Sequence, residues 1–130
     1  MIMRVLLDTH MIIAIVQRKL TDRFPDVQRV LLHATTKGFV SVASLWEIAI
    51  KTRLGKLQPG LTLDVIPAYL QGTGLTILPI GIAHVITAAD PEPETRDPFD
   101  RLLLAQCKVE GLQLATVDRL LVDHPLALRL

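Results

Sequence analysis

The chain has 130 residues, 50% of them hydrophobic and only 4% aromatic, with a formal net charge of +1. That length suits one domain of ordinary size, and so apolar a composition excludes a disordered chain. Scarce aromatics exclude a broad stacking platform for single-stranded nucleic acid, and a lone cysteine, Cys107, excludes a disulfide framework or a cysteine-rich zinc site within the chain.

Arg4 to Leu7 is continuously apolar after its first residue and reads as a short strand buried on both faces. His10 to Arg18 reads as a helix. Its apolar stretch, Met11 to Val16, is too short to span a membrane and fits burial in the chain's own core or against a second chain. Thr21 can cap a helix running to about Lys37, with Val27, Val30, Leu31 and Ala34 on one face, Pro25 in its first turn and Gly38 as its stop. Phe39 to Val42 is the second strand. A helix follows over Ser44 to Leu54 and ends at Gly55. A short helix is predicted around Leu63 to Leu70, a third strand over Leu75 to Leu78, and a helix over Ile82 to Ala89.

Residues 90–96, with two prolines and three acids, fit no packed element and read as a loop. Pro98 to Glu110 carries the clearest helix signals in the chain. Asp97 stands at the N-cap, Pro98 at the first position and Gly111 at the stop. Gln113 to Thr116 is the fourth strand, Asp118 to Val122 a short helix, and Leu126 to Leu130 an edge strand. Alternating strands and helices predict an α/β fold with a mainly parallel sheet covered on both faces. No repeat, low-complexity tract or linker interrupts it, so residues 1–130 read as one domain.

Charge is unevenly spread. Residues 1–65 carry 9 Lys/Arg against 5 Asp/Glu, and residues 66–130 carry 5 against 8. A basic first half fits phosphate contact and an acidic second half fits metal ligation, although solvated helix faces explain any single charge equally well. Cys107 lies in an apolar run and reads as a buried, inert thiol. One cysteine and the absence of a leader pattern before Val5-Leu6-Leu7-Asp8 fit a cytoplasmic protein.

Four acids stand where apolar runs begin or end: Asp8, Glu47, Asp100 and Asp118. In an open α/β sheet such positions gather on one edge, where ligands bind. Acids brought together there repel one another unless a cation holds them. Mg²⁺ or Mn²⁺ wants oxygen ligands and keeps several waters, so a few carboxylates suffice to bind it and activate a water for phosphodiester hydrolysis. Asp8, Asp100 and Asp118 are the candidate metal ligands. Glu47 can ligate or take a proton from water, and Thr9 and Thr116 can orient carboxylates. Each residue also has a structural explanation. Ser44-x-x-Glu47 is a capping-box pattern, Asp97 is an N-cap, Asp100 suits a helix dipole, and Asp118 can cap the next helix. Asp8 resists such a reading, because a carboxylate directly after a buried strand needs a partner. Lys51 falls four residues after Glu47 and can pair with it or contact phosphate, as can Arg96 and Arg101. Trp46 reads as core or interface.

The segments Leu6-Leu7-Asp8-Thr9-His10, Trp46-Glu47-Ile48-Ala49-Ile50-Lys51, Arg96-Asp97-Pro98-Phe99-Asp100-Arg101 and Thr116-x-Asp118 occur in this order over nearly the whole chain. Together they resemble the PIN-domain ribonucleases of the VapC type, the toxin half of type II toxin–antitoxin pairs. The resemblance implies a three-layer α/β/α sandwich around a central, mainly parallel sheet. It implies Mg²⁺- or Mn²⁺-dependent endonucleolytic cleavage of RNA, with the four family acids at Asp8, Glu47, Asp100 and Asp118 and Asp97 in support. It also implies a homodimer, a cognate VapB-like antitoxin that blocks the site, and contact with DNA only through that antitoxin. Relatives often carry histidines where this chain has Glu94 and Thr95. The alternative is a PIN-like protein- or RNA-binding module without catalysis, which would have no reason to keep all four acids.

Overall fold

The structure, a computed structural model, describes residues 2–130. Strands β1 (Met3–Leu7), β2 (Thr36–Ser41), β3 (Thr76–Leu78) and β4 (Gln113–Ala115) form one sheet in the order β3-β2-β1-β4, and every pairing is parallel. Helices α1 (Thr9–Val16), α2 (Leu20–Arg23), α3 (Pro25–Leu32), α4 (Val42–Arg53), α5 (Ile66–Gly72), α6 (Ile82–Ile86) and α7 (Pro98–Glu110) connect and cover it, with a 3₁₀ turn over Leu63–Val65.

β1 explains the layering. Val5, Leu6 and Leu7 are all fully buried. Val5 and Leu7 face a core made with α1, α2, α3 and α5, through Ile12, Leu20, Val27 and Leu70. Leu6 faces the opposite core, made with α7 through Leu103, Leu104 and Cys107. A strand covered on both faces needs apolar side chains in both directions, hence the unbroken run. The result is the expected α/β/α sandwich on a parallel sheet. Met11 to Val16 is buried throughout, within the chain's own core. Among the described residues no helix is long and apolar enough to cross a membrane.

Several boundaries differ from the sequence reading. The helix expected over Thr21 to Lys37 is two helices. Phe24, outside the helical region at φ −135° and ψ 63°, separates α2 from α3, because a residue before proline is pushed away from the helical region and Pro25 best starts a new helix. Thr36 to Gly38 belong to β2, where they pair with Met3 to Val5. Gly38 is therefore no helix stop. A Cβ there would come within 2.6 Å of Leu75 Cδ2, so glycine lets β3's approach and α3's Leu31 close over the strand.

Helix α4 begins at Val42, not Ser44, and its cap is Ser41, whose Oγ accepts from the Ala43 amide at 3.0 Å. Where the sequence predicts a helix over Asp118 to Val122, residues 119–123 form turns, and the last strand is a single parallel bridge from Ala127 to Leu114. The helix expected over Ile82 to Ala89 stops at Ile86. Helix α7 matches its predicted span, with Asp97 accepting from the Phe99 amide and Gly111 left-handed at φ 68°.

Candidate active site

The strand order fixes where a site can form. From β1 the chain moves outward to β2 and β3, then returns to place β4 on β1's other side. Connections diverge at β1 and β4, opening a crevice at their carboxyl ends. Asp8 is the first residue past β1. Asp118 stands just past β4. Glu47 comes from α4, which packs on both α1 and α7, and Asp100 from the first turn of α7.

Each acid has a defined mooring. Asp8 is 3% exposed and caps α1, its Oδ1 accepting from the Met11 amide at 3.1 Å. The buried Thr116 hydroxyl also bonds to it and, as acceptor, takes the Asp118 amide at 3.1 Å. Asp118 Oδ1 in turn accepts from the Leu120 amide at 2.9 Å. Glu47 is buried. Its Oε1 lies 2.8 Å from Thr9 Oγ1 and its Oε2 lies 2.8 Å from Lys51 Nζ. Thr9 Oγ1 is also 3.0 Å from Ser44 Oγ. Thr9 has one hydroxyl proton, which serves the carboxylate, leaving Ser44 to donate to Thr9. Ser44 and Glu47 therefore meet through Thr9, not in a capping box. Thr9 and Thr116 are each hydrogen-bonded to a carboxylate, Glu47 and Asp8 respectively.

Asp100 is half-buried and accepts from Thr95 Oγ1 at 3.1 Å. Asp97, at the helix cap, is exposed and its amide donates to the same Thr95 oxygen. Thr95 was not foreseen as part of the site. Among the basic candidates, Lys51 is paired with Glu47, and Arg101 donates from Nε to the Thr95 carbonyl at 2.9 Å and from Nη1 to Glu92 at 2.5 Å. Arg96 is exposed. Trp46 is 59% exposed, which rules out the core, and its ring meets Phe99 edge-on at 5.6 Å.

The four acids share one electrostatic neighbourhood. Burial raises Asp8 above the ordinary carboxylate range. The Thr116 hydroxyl, the Met11 amide and His10 oppose this, and Asp118 adds to it. Asp100 is pushed up to about 6, first by burial, then by repulsion from Asp97, Asp118 and Glu47, against the Thr95 hydrogen bond. Carboxylates raised by burial and like charge mark a place short of positive charge.

Among the described residues, no three carboxylate, imidazole or thiol groups stand close enough together to enclose an ion as they lie. A small hard cation needs no such cage, since it takes one or two carboxylates directly and keeps several waters. The donors are all oxygens, the set that Mg²⁺ or Mn²⁺ prefers.

A parallel sheet with helices on both faces and an acidic centre at its carboxyl edge defines the general class, an α/β domain built around a carboxylate crevice. Within that class the chain belongs to the PIN domain family, whose model matches residues 5–124. Among solved structures the chain resembles VapBC2 from Rickettsia felis, crystallised bound to a DNA fragment from its promoter. The identity is 12% and the TM-score 0.64, covering 97% of this chain and 96% of that one. No curated protein matches the chain significantly.

Proposed function

We propose that the chain is a metal-dependent endoribonuclease, a single PIN domain over residues 1–130 acting as the toxin of a type II toxin–antitoxin pair. The observation that carries this reading is the meeting of Asp8, Glu47, Asp100 and Asp118 from four elements at one sheet edge, two of them held above their ordinary range. Asp8, Asp100 and Asp118 would hold the ion. A bound Mg²⁺ or Mn²⁺ would supply charge neutralisation at the phosphate and a water acidic enough to attack it near neutral pH.

This chain's residues do the rest. Glu47, fixed by Thr9 on one oxygen and paired with Lys51 on the other, accepts the proton of the attacking water. Lys51, Arg96 and Arg101 border the crevice from α4 and from the start of α7 and meet the RNA backbone. Asp97 and Thr116 keep their neighbours in place. VapBC2, which shares the fold, was crystallised as a complex on promoter DNA, and this supports a VapB-like antitoxin as partner. On this reading the toxin is a homodimer that meets DNA only through that antitoxin.

The test is cleavage of total cellular RNA by the purified, antitoxin-free protein with Mg²⁺, with Mn²⁺ and with EDTA, beside Asp8→Asn. Discrete fragments that need metal and vanish in the variant are expected. Intact RNA with folded, metal-supplied wild type would overturn the nuclease reading in favour of a PIN-like binding module.

A further inference from the structure

The loop over residues 90–96 looks in sequence like a plain connector, yet it is tied down at every turn. His124 Nε2 donates to the Pro91 carbonyl at 2.7 Å, and His124 Nδ1 accepts from the Leu126 amide, so both ring nitrogens of this buried histidine serve the backbone. Arg101 reaches back from α7 to Glu92 and to the Thr95 carbonyl. At the loop's end Thr95 is 3% exposed, although Glu94 and Arg96 beside it are exposed. Its hydroxyl oxygen accepts from the Asp97 amide at 3.1 Å and its one proton goes to Asp100 Oδ2, also at 3.1 Å.

We propose that Thr95 is a positioning residue for the acidic centre: clamped between the Asp97 amide and Asp100 Oδ2, its hydroxyl fixes which oxygen of Asp100 is left to face a cation. Rotation of the Asp100 carboxyl would break that bond. Movement of Thr95 would break two more, to the Asp97 amide and from Arg101. Hydroxyl and amide partners that orient a ligand carboxylate typically change metal affinity ten- to a hundred-fold when removed. The inference rests on the reading of Asp100 as a cation ligand and adds what holds Asp100 ready. Arg101, on this view, serves the loop's carbonyl and Glu92 first, and RNA second.

The hydroxyl and the methyl of Thr95 can be tested separately. Mn²⁺ affinity is read from the electron paramagnetic resonance signal of the free ion, and melting is followed in metal-free buffer. Thr95→Val keeps the shape and loses the hydroxyl, and is expected to weaken Mn²⁺ binding about tenfold while also melting lower, since the Asp97 amide loses its partner. Thr95→Ser keeps the hydroxyl and loses the methyl, and is expected to bind Mn²⁺ as wild type does while melting lower. Should Thr95→Val not fold, Thr95→Ala against Thr95→Ser makes the same comparison. Equal affinity in the variants with and without the hydroxyl would overturn the inference, as would affinity losses that track melting. A wild type that binds no Mn²⁺ would sink the ligand reading and this inference with it. A wild type that binds, beside an unchanged Thr95→Val, would sink only the role of Thr95.

Discussion

Replacing Asp100 with asparagine should stabilise the metal-free protein while destroying its centre. Asp100 sits at about 6 instead of 3.8 because burial and three neighbouring acids disfavour its charge. Below pH 3.8 both the folded and unfolded chains hold the proton, and the residue is neutral to stability. As pH rises towards 6 the unfolded chain releases the proton that the folded chain keeps, so stability falls through this window, and the full cost stands above it. A shift of roughly two units corresponds to about 3 kcal/mol. Asp100 is only half-buried, and solvent screening brings that to about 1.5 kcal/mol. The carboxylate also gains roughly 0.5 kcal/mol from the start of α7, which the amide loses. The net gain for Asp100→Asn is about 1 kcal/mol above pH 7, or about 3 °C in Tm for a domain of this size. Thermal melts in EDTA from pH 3.5 to 8 should show the variant pulling ahead as pH rises. With Asp100 as a ligand, as proposed, saturating Mg²⁺ should reverse the order, because a hundredfold excess over Kd adds about 2.7 kcal/mol to the wild type alone. A variant no more stable than wild type at pH 8, or equally ahead at pH 3.5, would refute the account of strain among the acids.

Three further outcomes are expected. Burial pushes the Cys107 thiol up to about 12, so it should not react with a thiol reagent at pH 8 until the chain is unfolded, and prompt labelling of native protein would contradict the packing of α7. Gly111→Ala meets no neighbour within 4 Å but forces a side chain onto φ 68°, and should cost about 1 kcal/mol in urea unfolding. Ser41→Ala removes the cap of α4 and leaves the fully buried Gln106 Oε1 without its partner, a combined loss of about 2–3 kcal/mol by the same method; a change inside the noise would show the pair to be dispensable.

The sequence was most legible where local chemistry and tertiary need agree. Asp97, Pro98 and Gly111 bracket α7 with signals that act within a few residues, and Val5 to Leu7 is apolar because both faces of β1 are covered. It misled where they conflict. The helical stripe from Val27 to Ala34 continues past the end of α3, but β1 needs a parallel neighbour, and its pairing with Thr36 to Phe39 claims those residues for the sheet. Ser44-x-x-Glu47 carries a capping-box pattern, yet Ser41 already serves that end of α4, freeing Ser44 and Glu47 to meet Thr9. Asp8, Asp100 and Asp118 could be picked out because each lies near an element boundary; Glu47, midway along α4, stood out only because that helix reads in sequence as starting at Ser44. Thr95 could not, because its importance lies in a bond to Asp100 made by a loop folding back over a helix start. The Lys51 pairing with Glu47 was visible as an i,i+4 spacing, but spacing alone did not say whether it would be made.

The strand order carries a consequence for biosynthesis. Of the four strands β4 leaves the ribosome last, and it pairs with β1, the earliest of the four, setting Leu6 against Leu114. The acids at 8, 47, 100 and 118 are spread along the same path, so no nascent chain short of β4 holds the full set or the two walls of the crevice. Pairing across so long a stretch of chain is also slow. A ribosome making this chain therefore carries an incomplete set of acids until β4 and Asp118 have been synthesised.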